Sequence, residues 1–66
     1  MARYYVNNES QLNGDHEVHV QTCPYLPADS KYVGDYPNCF EAVKAAKKHF
    51  IWANGCPWCS RPCHIR

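Results

Sequence analysis

Three of the five cysteines in this chain crowd into its end, Cys56-Pro57-Trp58-Cys59-Ser60-Arg61-Pro62-Cys63-His64-Ile65-Arg66. The Cys-x-x-Cys at 56–59 follows an Asn54-Gly55 turn signal and encloses a proline. A tight turn of that composition brings two sulfurs to one metal ion, or two thiols to each other. A chain of 66 residues needs such a staple. At this size only about 60% of the unfolded surface is buried on folding, and small scaffolds add a metal, disulfides or a partner subunit.

Two observations favour metal over disulfides. Five cysteines cannot all pair within one chain. Met1-Ala2-Arg3 runs straight into Tyr4-Tyr5-Val6 and then polar Asn7-Asn8-Glu9, with no apolar leader. The expected location is therefore cytoplasmic, where thiols stay reduced and clustered cysteines serve metals or catalysis. No run is long enough to span a membrane. Hydrophobic residues at 45% and aromatics at 14% mark a folding chain, with one small domain over residues 1–66.

The chain divides by charge. Residues 1–37 carry Arg3 and Lys31 against Glu9, Asp15, Glu17, Asp29 and Asp35, net −3. Residues 38–66 carry Lys44, Lys47, Lys48, Arg61 and Arg66 against Glu41, net +4. The basic half can meet a phosphate or an acidic partner, or simply be a solvated helix face and tail. The excess is too small to predict nucleic-acid binding.

Three strands and one helix are expected. Residues 3–7 are short and rich in Tyr and Val, and in His16–Thr22 the apolar Val18 and Val20 alternate with Glu17, His19 and Gln21. The two should pair as an antiparallel hairpin closed by Asn13-Gly14-Asp15. Lys31–Tyr36 is a shorter third strand, interrupted by Gly34. A helix is expected over about 39–50, N-capped by Asn38 with Glu41 three residues on. Phe40, Val43, Ala46 and Phe50 make its sheet-facing stripe, and Asn54-Gly55 lies where a left-handed residue closes a helix. The fold class is α+β: a two- to three-stranded antiparallel sheet, one helix and a C-terminal Cys-rich knuckle.

Zinc takes four tetrahedral thiolate and imidazole ligands, often as two short-spaced pairs from distant parts of a chain. One pair here is Cys56 and Cys59; the other is His19 and Cys23. In a straight strand four residues span about 13 Å, too far to share an ion, so the strand must end or bend near Gln21–Cys23. Cys23-Pro24 supplies the break. If the strand stays straight, the fourth ligand comes from Cys39, Cys63 or His64. Cys39 is also well suited to being a small buried apolar residue, His16 to packing on the valine face or closing the hairpin, His49 to the helix dipole, and Trp58 to covering the site.

His19-x-x-x-Cys23, Leu26-Pro27, Cys39-Phe40-Glu41-Ala42 and Gly55-Cys56-Pro57-Trp58-Cys59 together resemble the small zinc module of Ada-type DNA-repair proteins, across residues 19–60. The resemblance implies one zinc held by His19, Cys23, Cys56 and Cys59. The family places cysteine where His19 stands, and one of its thiolates accepts a methyl group from DNA. With three thiolates and little positive charge near Cys23, that reaction is not expected here. Relatives with histidine at this position look structural. Cys39 and Cys63 have no counterpart in the motif. The opening Tyr4-Tyr5-Val6-Asn7 and the run Gly14–His19 are similar to those of short bacterial proteins, a likeness that carries no activity.

Three functions compete. The first is a structural, zinc-ribbon-like module with an interaction surface, its partner an unidentified protein. The second is a thiol–disulfide redox protein, since Cys56-Pro57-Trp58-Cys59 resembles the glutaredoxin active-site motif. That chemistry needs the first cysteine at a helix N-terminus after a strand, whereas seven residues including Pro62 follow Cys59. The third is Ada-like DNA binding or methyl acceptance. No Ser/His/Asp set, phosphate loop or carboxylate dyad is present, and Glu17 between His16 and His19 lacks the metalloprotease helix spacing. No catalysis is expected.

Overall fold

A computed structural model describes residues 1–65. Four strands, one helix and a final 3-10 turn follow each other as β1 (Ala2–Asn7), β2 (His16–Val20), β3 (Ser30–Tyr36), α1 (Cys39–Ala46), β4 (Ala53–Gly55) and the turn Arg61–Cys63. They form an α+β unit with a four-stranded mixed sheet in the order β3-β1-β2-β4.

The expected hairpin is present: β1 and β2 pair antiparallel, Tyr5 opposite His19 and Val6 opposite Val18. The loop between them closes on Gly14, whose φ of 89° suits glycine, with Asp15 N–H donating to Asn13 Oδ1 at 2.9 Å. β3 joins the other edge of β1, antiparallel, with a register slip between Tyr4 and Tyr5. Val33 is the extra residue, since Gly34 pairs with Tyr4 and Tyr32 with Tyr5. Beside it Gly34 has φ 137°, and a Cβ there would meet the Tyr36 ring at 2.8 Å.

The two- to three-stranded antiparallel sheet is corrected by a fourth strand. Ala53-Asn54-Gly55 pairs parallel with His16-Glu17-Val18. Three residues of turn-like composition carry no period-2 signal, so the strand exists through its partner. Asn54-Gly55 therefore does not close the helix. The helix ends at Ala46, with Lys47 as its C-cap in ordinary right-handed geometry.

Asn38 caps the helix as expected, its Oδ1 accepting from the Glu41 N–H at 3.0 Å. The buried face is Cys39, Ala42, Val43 and Ala46, so the stripe expected through Phe40 is rotated. Phe40 is 59% exposed. Phe50, beyond the helix, stacks on His16 at 3.9 Å, and His16 Nδ1–H donates to the Asn7 carbonyl at 2.9 Å. The helix covers one sheet face through Tyr4, Val6, Val18 and Ala53, and Cys63 joins the same core. Among the described residues no helix is long and apolar enough to cross a membrane.

Gly55 is required by close approach. A Cβ there would lie 2.6 Å from the Ser60 carbonyl oxygen and 2.7 Å from Cys63 Cβ. Backbone cannot yield as a side-chain tip does, so Gly55→Ala is expected to cost about 1–3 kcal/mol, read as a lower thermal midpoint, from overpacking alone.

Candidate metal centre

β2 places His19 on the sheet face opposite Val18 and Val20, because successive side chains alternate. The strand stops at Val20, and the chain turns so that the Cys23 N–H donates back to the Val20 carbonyl at 3.0 Å. This bend before Pro24 brings Cys23 alongside His19. β4 ends at Gly55, and the knuckle starts with the Cys56 N–H on the Val18 carbonyl at 3.0 Å. The Ser60 N–H returns to the Cys56 carbonyl at 2.9 Å. Parallel pairing of β4 with β2 thus delivers Cys56 and Cys59 to the strand that carries His19.

The four expected ligands converge. One ligand atom from each of His19, Cys23, Cys56 and Cys59 lies within 4.8 Å of all the others. Cys23 Sγ and Cys56 Sγ are 3.9 Å apart, as are Cys59 Sγ and His19 Nδ1. The edges of a tetrahedron with zinc–sulfur bonds of about 2.3 Å and zinc–nitrogen bonds of about 2.1 Å are about 3.6–3.8 Å. These two edges come close to that size, and the four side chains together form a group that could hold a metal ion. Sulfurs 3.9 Å apart are not disulfide-bonded, and all three cysteines are free.

The surroundings suit thiolates more than thiols. The Trp58 N–H points at Cys56 Sγ at 3.4 Å, and the Val20 N–H, just past the end of the β4 pairing, points at Cys59 Sγ at 3.3 Å. Ser60 Oγ lies 3.6 Å from Cys59 Sγ. Sulfur accepts such donors well only when it carries charge. Without a cation, burial dominates: it pushes the Cys59 thiol up to about 12 and raises Cys56 as well. Burial also lowers His19, which keeps the imidazole neutral and able to coordinate.

His19 is fully buried, and its Nε2 has no hydrogen-bond partner. The atom faces away from the sulfurs, toward Glu17 Oε1 at 3.5 Å. A metal on Nδ1 fixes the proton on Nε2, where a small movement of Glu17 gives it an acceptor. Glu17 stands two residues before His19 on the same strand face, a spacing the sequence reading used only to set aside a protease motif. Carboxylates that orient a metal-bound imidazole are worth about 10–100-fold in affinity. Glu17→Gln should weaken metal binding within that range, measured by competition with a chromophoric chelator.

The other candidates are accounted for elsewhere. Cys39 and Cys63 form a disulfide, with Cα atoms 6.2 Å apart, so neither is available as a fourth ligand. His64 Nδ1 is taken by the Gly55 carbonyl at 3.0 Å. His49 is exposed on the turn after the helix. Trp58 is 71% exposed, stacked on Tyr25 with ring centroids 5.5 Å apart.

Protonation follows from this geometry. The metal-free fold retains thiol protons that the unfolded chain loses near 9, and excludes an imidazole proton that the unfolded chain gains near 6.5. Zinc takes thiolates, so its binding must displace these thiol protons, and affinity should fall as pH drops from about 8 toward 5. Competition with a chromophoric chelator across that range measures the slope.

No family model matches the chain, and no curated protein or solved structure matches it.

Proposed function

We propose that this protein is a structural zinc module in which His19, Cys23, Cys56 and Cys59 hold one ion, and that its role is interaction with another protein. The observation that carries this reading is the convergence of four soft ligand atoms within 4.8 Å. Three thiolates and an imidazole in a tetrahedral arrangement suit zinc. Bound there, the ion supplies folding free energy, tying the knuckle to the hairpin. His19 and Cys56 are fully buried and Cys23 is 7% exposed. Four protein ligands in such a site leave no position for water or substrate, which supports a structural role over a catalytic one.

The proposal takes from the Ada-type resemblance only the two ligand pairs and includes no methyl transfer. The redox reading lacks support from the site. Its chemistry needs a lowered thiol at the start of an α-helix, whereas burial raises both Cys56 and Cys59, and the segment after them is a single 3-10 turn. A cytoplasmic location stays part of the proposal, and the Cys39–Cys63 disulfide is the observation that stands against it.

Zinc titration of the metal-free, freshly reduced protein tests the reading. It should saturate at one equivalent and release about three protons, one per thiol, because only thiolates coordinate. Cobalt substitution should give the intense visible bands of tetrahedral thiolate ligation. Binding without proton release, or saturation unaffected by Cys56→Ala, would count against it.

A further inference from the structure

His19 lies on the sheet face opposite the helix, and the helix side carries several exposed apolar side chains. Phe40 is 59% exposed, Ile65 80%, Ile51 74% and Trp52 59%. A recess of about 410 Å³ is lined by Phe40, Val43, Lys44, Lys47, Pro62 and Ile65, with Cys63 at its floor. A second recess of about 210 Å³ adjoins it through the shared Lys47 and Ile65 and extends to Ile51 and Trp52.

The charge on this surface has one sign at its rim. Lys44 and Lys47 line the larger recess, and no carboxylate does so among the described residues. Lys48 follows on the exposed turn after the helix, and Arg61 opens the 3-10 turn that carries Pro62 and Cys63. Asp15, at the far end of the smaller recess, is buried and accepts from Asn54 Nδ2 at 3.1 Å. Glu41 lies in the first helical turn and lines neither recess. Solvation alone accounts for lysines on a helix face. It does not account for lysines bordering two joined apolar recesses whose large side chains stand open to water.

We infer that this surface docks an acidic amphipathic segment of a partner protein, with apolar side chains seated in the two recesses and carboxylates meeting Lys44 and Lys47. The inference rests on the interaction role proposed above and adds its site and partner chemistry. A short amphipathic helix carries apolar anchors along one face, one for each of the two adjoining recesses. The rim lysines steer the encounter and set the register, and the apolar contacts supply the affinity. Two lysines over an apolar floor fit a nucleic-acid backbone poorly, since phosphate recognition uses denser cations and polar floors. A second copy of this chain is the other occupant that the test separates.

A displayed library of random twelve-residue peptides, selected on the zinc-loaded, oxidised protein, tests this directly. The expected result is enrichment of sequences with apolar residues three or four apart among Asp and Glu. A synthetic peptide of that consensus should bind about tenfold or more weakly to Lys44→Glu/Lys47→Glu and to Phe40→Asp, and more weakly as salt rises. Lys31→Glu, on β3, should leave it unchanged. Selection of basic or uncharged sequences, no enrichment, or binding indifferent to all three substitutions would overturn the inference. So would reversible dimerisation abolished by Phe40→Asp, or displacement of the peptide by polyuridylate. Zinc content is measured on every variant. A wild-type chain that holds one equivalent of zinc yet binds no peptide sinks the docking surface alone, and peptide binding by a wild-type chain that takes up no zinc sinks the metal reading alone.

Discussion

On the proposed zinc reading, chelation is expected to unfold this protein at neutral pH, with loss of both sheet and helix signals in circular dichroism. The apolar core is made of small groups: Val6, Val18, Ala42, Ala46 and Ala53, with Tyr4 its only large member among the most buried. Against this stands a backbone of 66 residues to be ordered, at about 1–2 kcal/mol each. A structural zinc site contributes about 10 kcal/mol or more at neutral pH, comparable to the whole net stability of a small domain. Taking the ion away leaves three thiols and an orphaned imidazole nitrogen in a buried cluster. Cys56→Ser should reproduce the effect, since its sulfur is fully buried and takes the Trp58 N–H. Re-addition of zinc should restore the wild-type fold and leave the serine variant unfolded. A metal-free chain that keeps its native spectrum would show that the core suffices alone.

Reduction of the Cys39–Cys63 bond is the second large effect. The bond closes a 24-residue separation between the first residue of α1 and the end of the 3-10 turn. Opening it costs about 3 kcal/mol by loop entropy, which lowers the midpoint of a domain this size by about 12–24 °C. Both cysteines are buried in the core that the helix shares with the sheet. Paired replacement Cys39→Ala/Cys63→Ala should therefore lose stability while keeping one equivalent of zinc, because the ligands come from β2, the turn after it and the knuckle. The two staples are thereby separable, one destroyed by chelator and the other by reductant. If the double variant also lost zinc, the disulfide would be part of the metal site's support.

Local chemistry made much of the molecule legible. The tyrosine- and valine-rich first strand, the alternation around Val18 and Val20, and Asn38 as N-cap depend on neighbours along the chain. The bend before Pro24 was required by a distance argument, since His19 and Cys23 cannot share an ion along a straight strand. What escaped depends on contacts between remote segments. The fourth strand has three residues and no pattern of its own, and Gly55 is set by the backbone crossing above it. The buried helix face includes Cys39 because Cys63 holds it there, turning Phe40 outward. Periodicity alone placed Phe40 in the core. Glu17 shares a strand face with His19, a signal present in the sequence and unread until the buried Nε2 showed what it lacked.

The most direct test of the account is the native mass of freshly purified protein, measured with and without chelator. The account predicts one zinc ion on a chain two hydrogens lighter than the fully reduced polypeptide, as one disulfide requires, with the ion lost together with the compact charge-state distribution. A metal-free, compact chain four hydrogens light would mean that two of Cys23, Cys56 and Cys59 are joined to each other, and would contradict the metal centre.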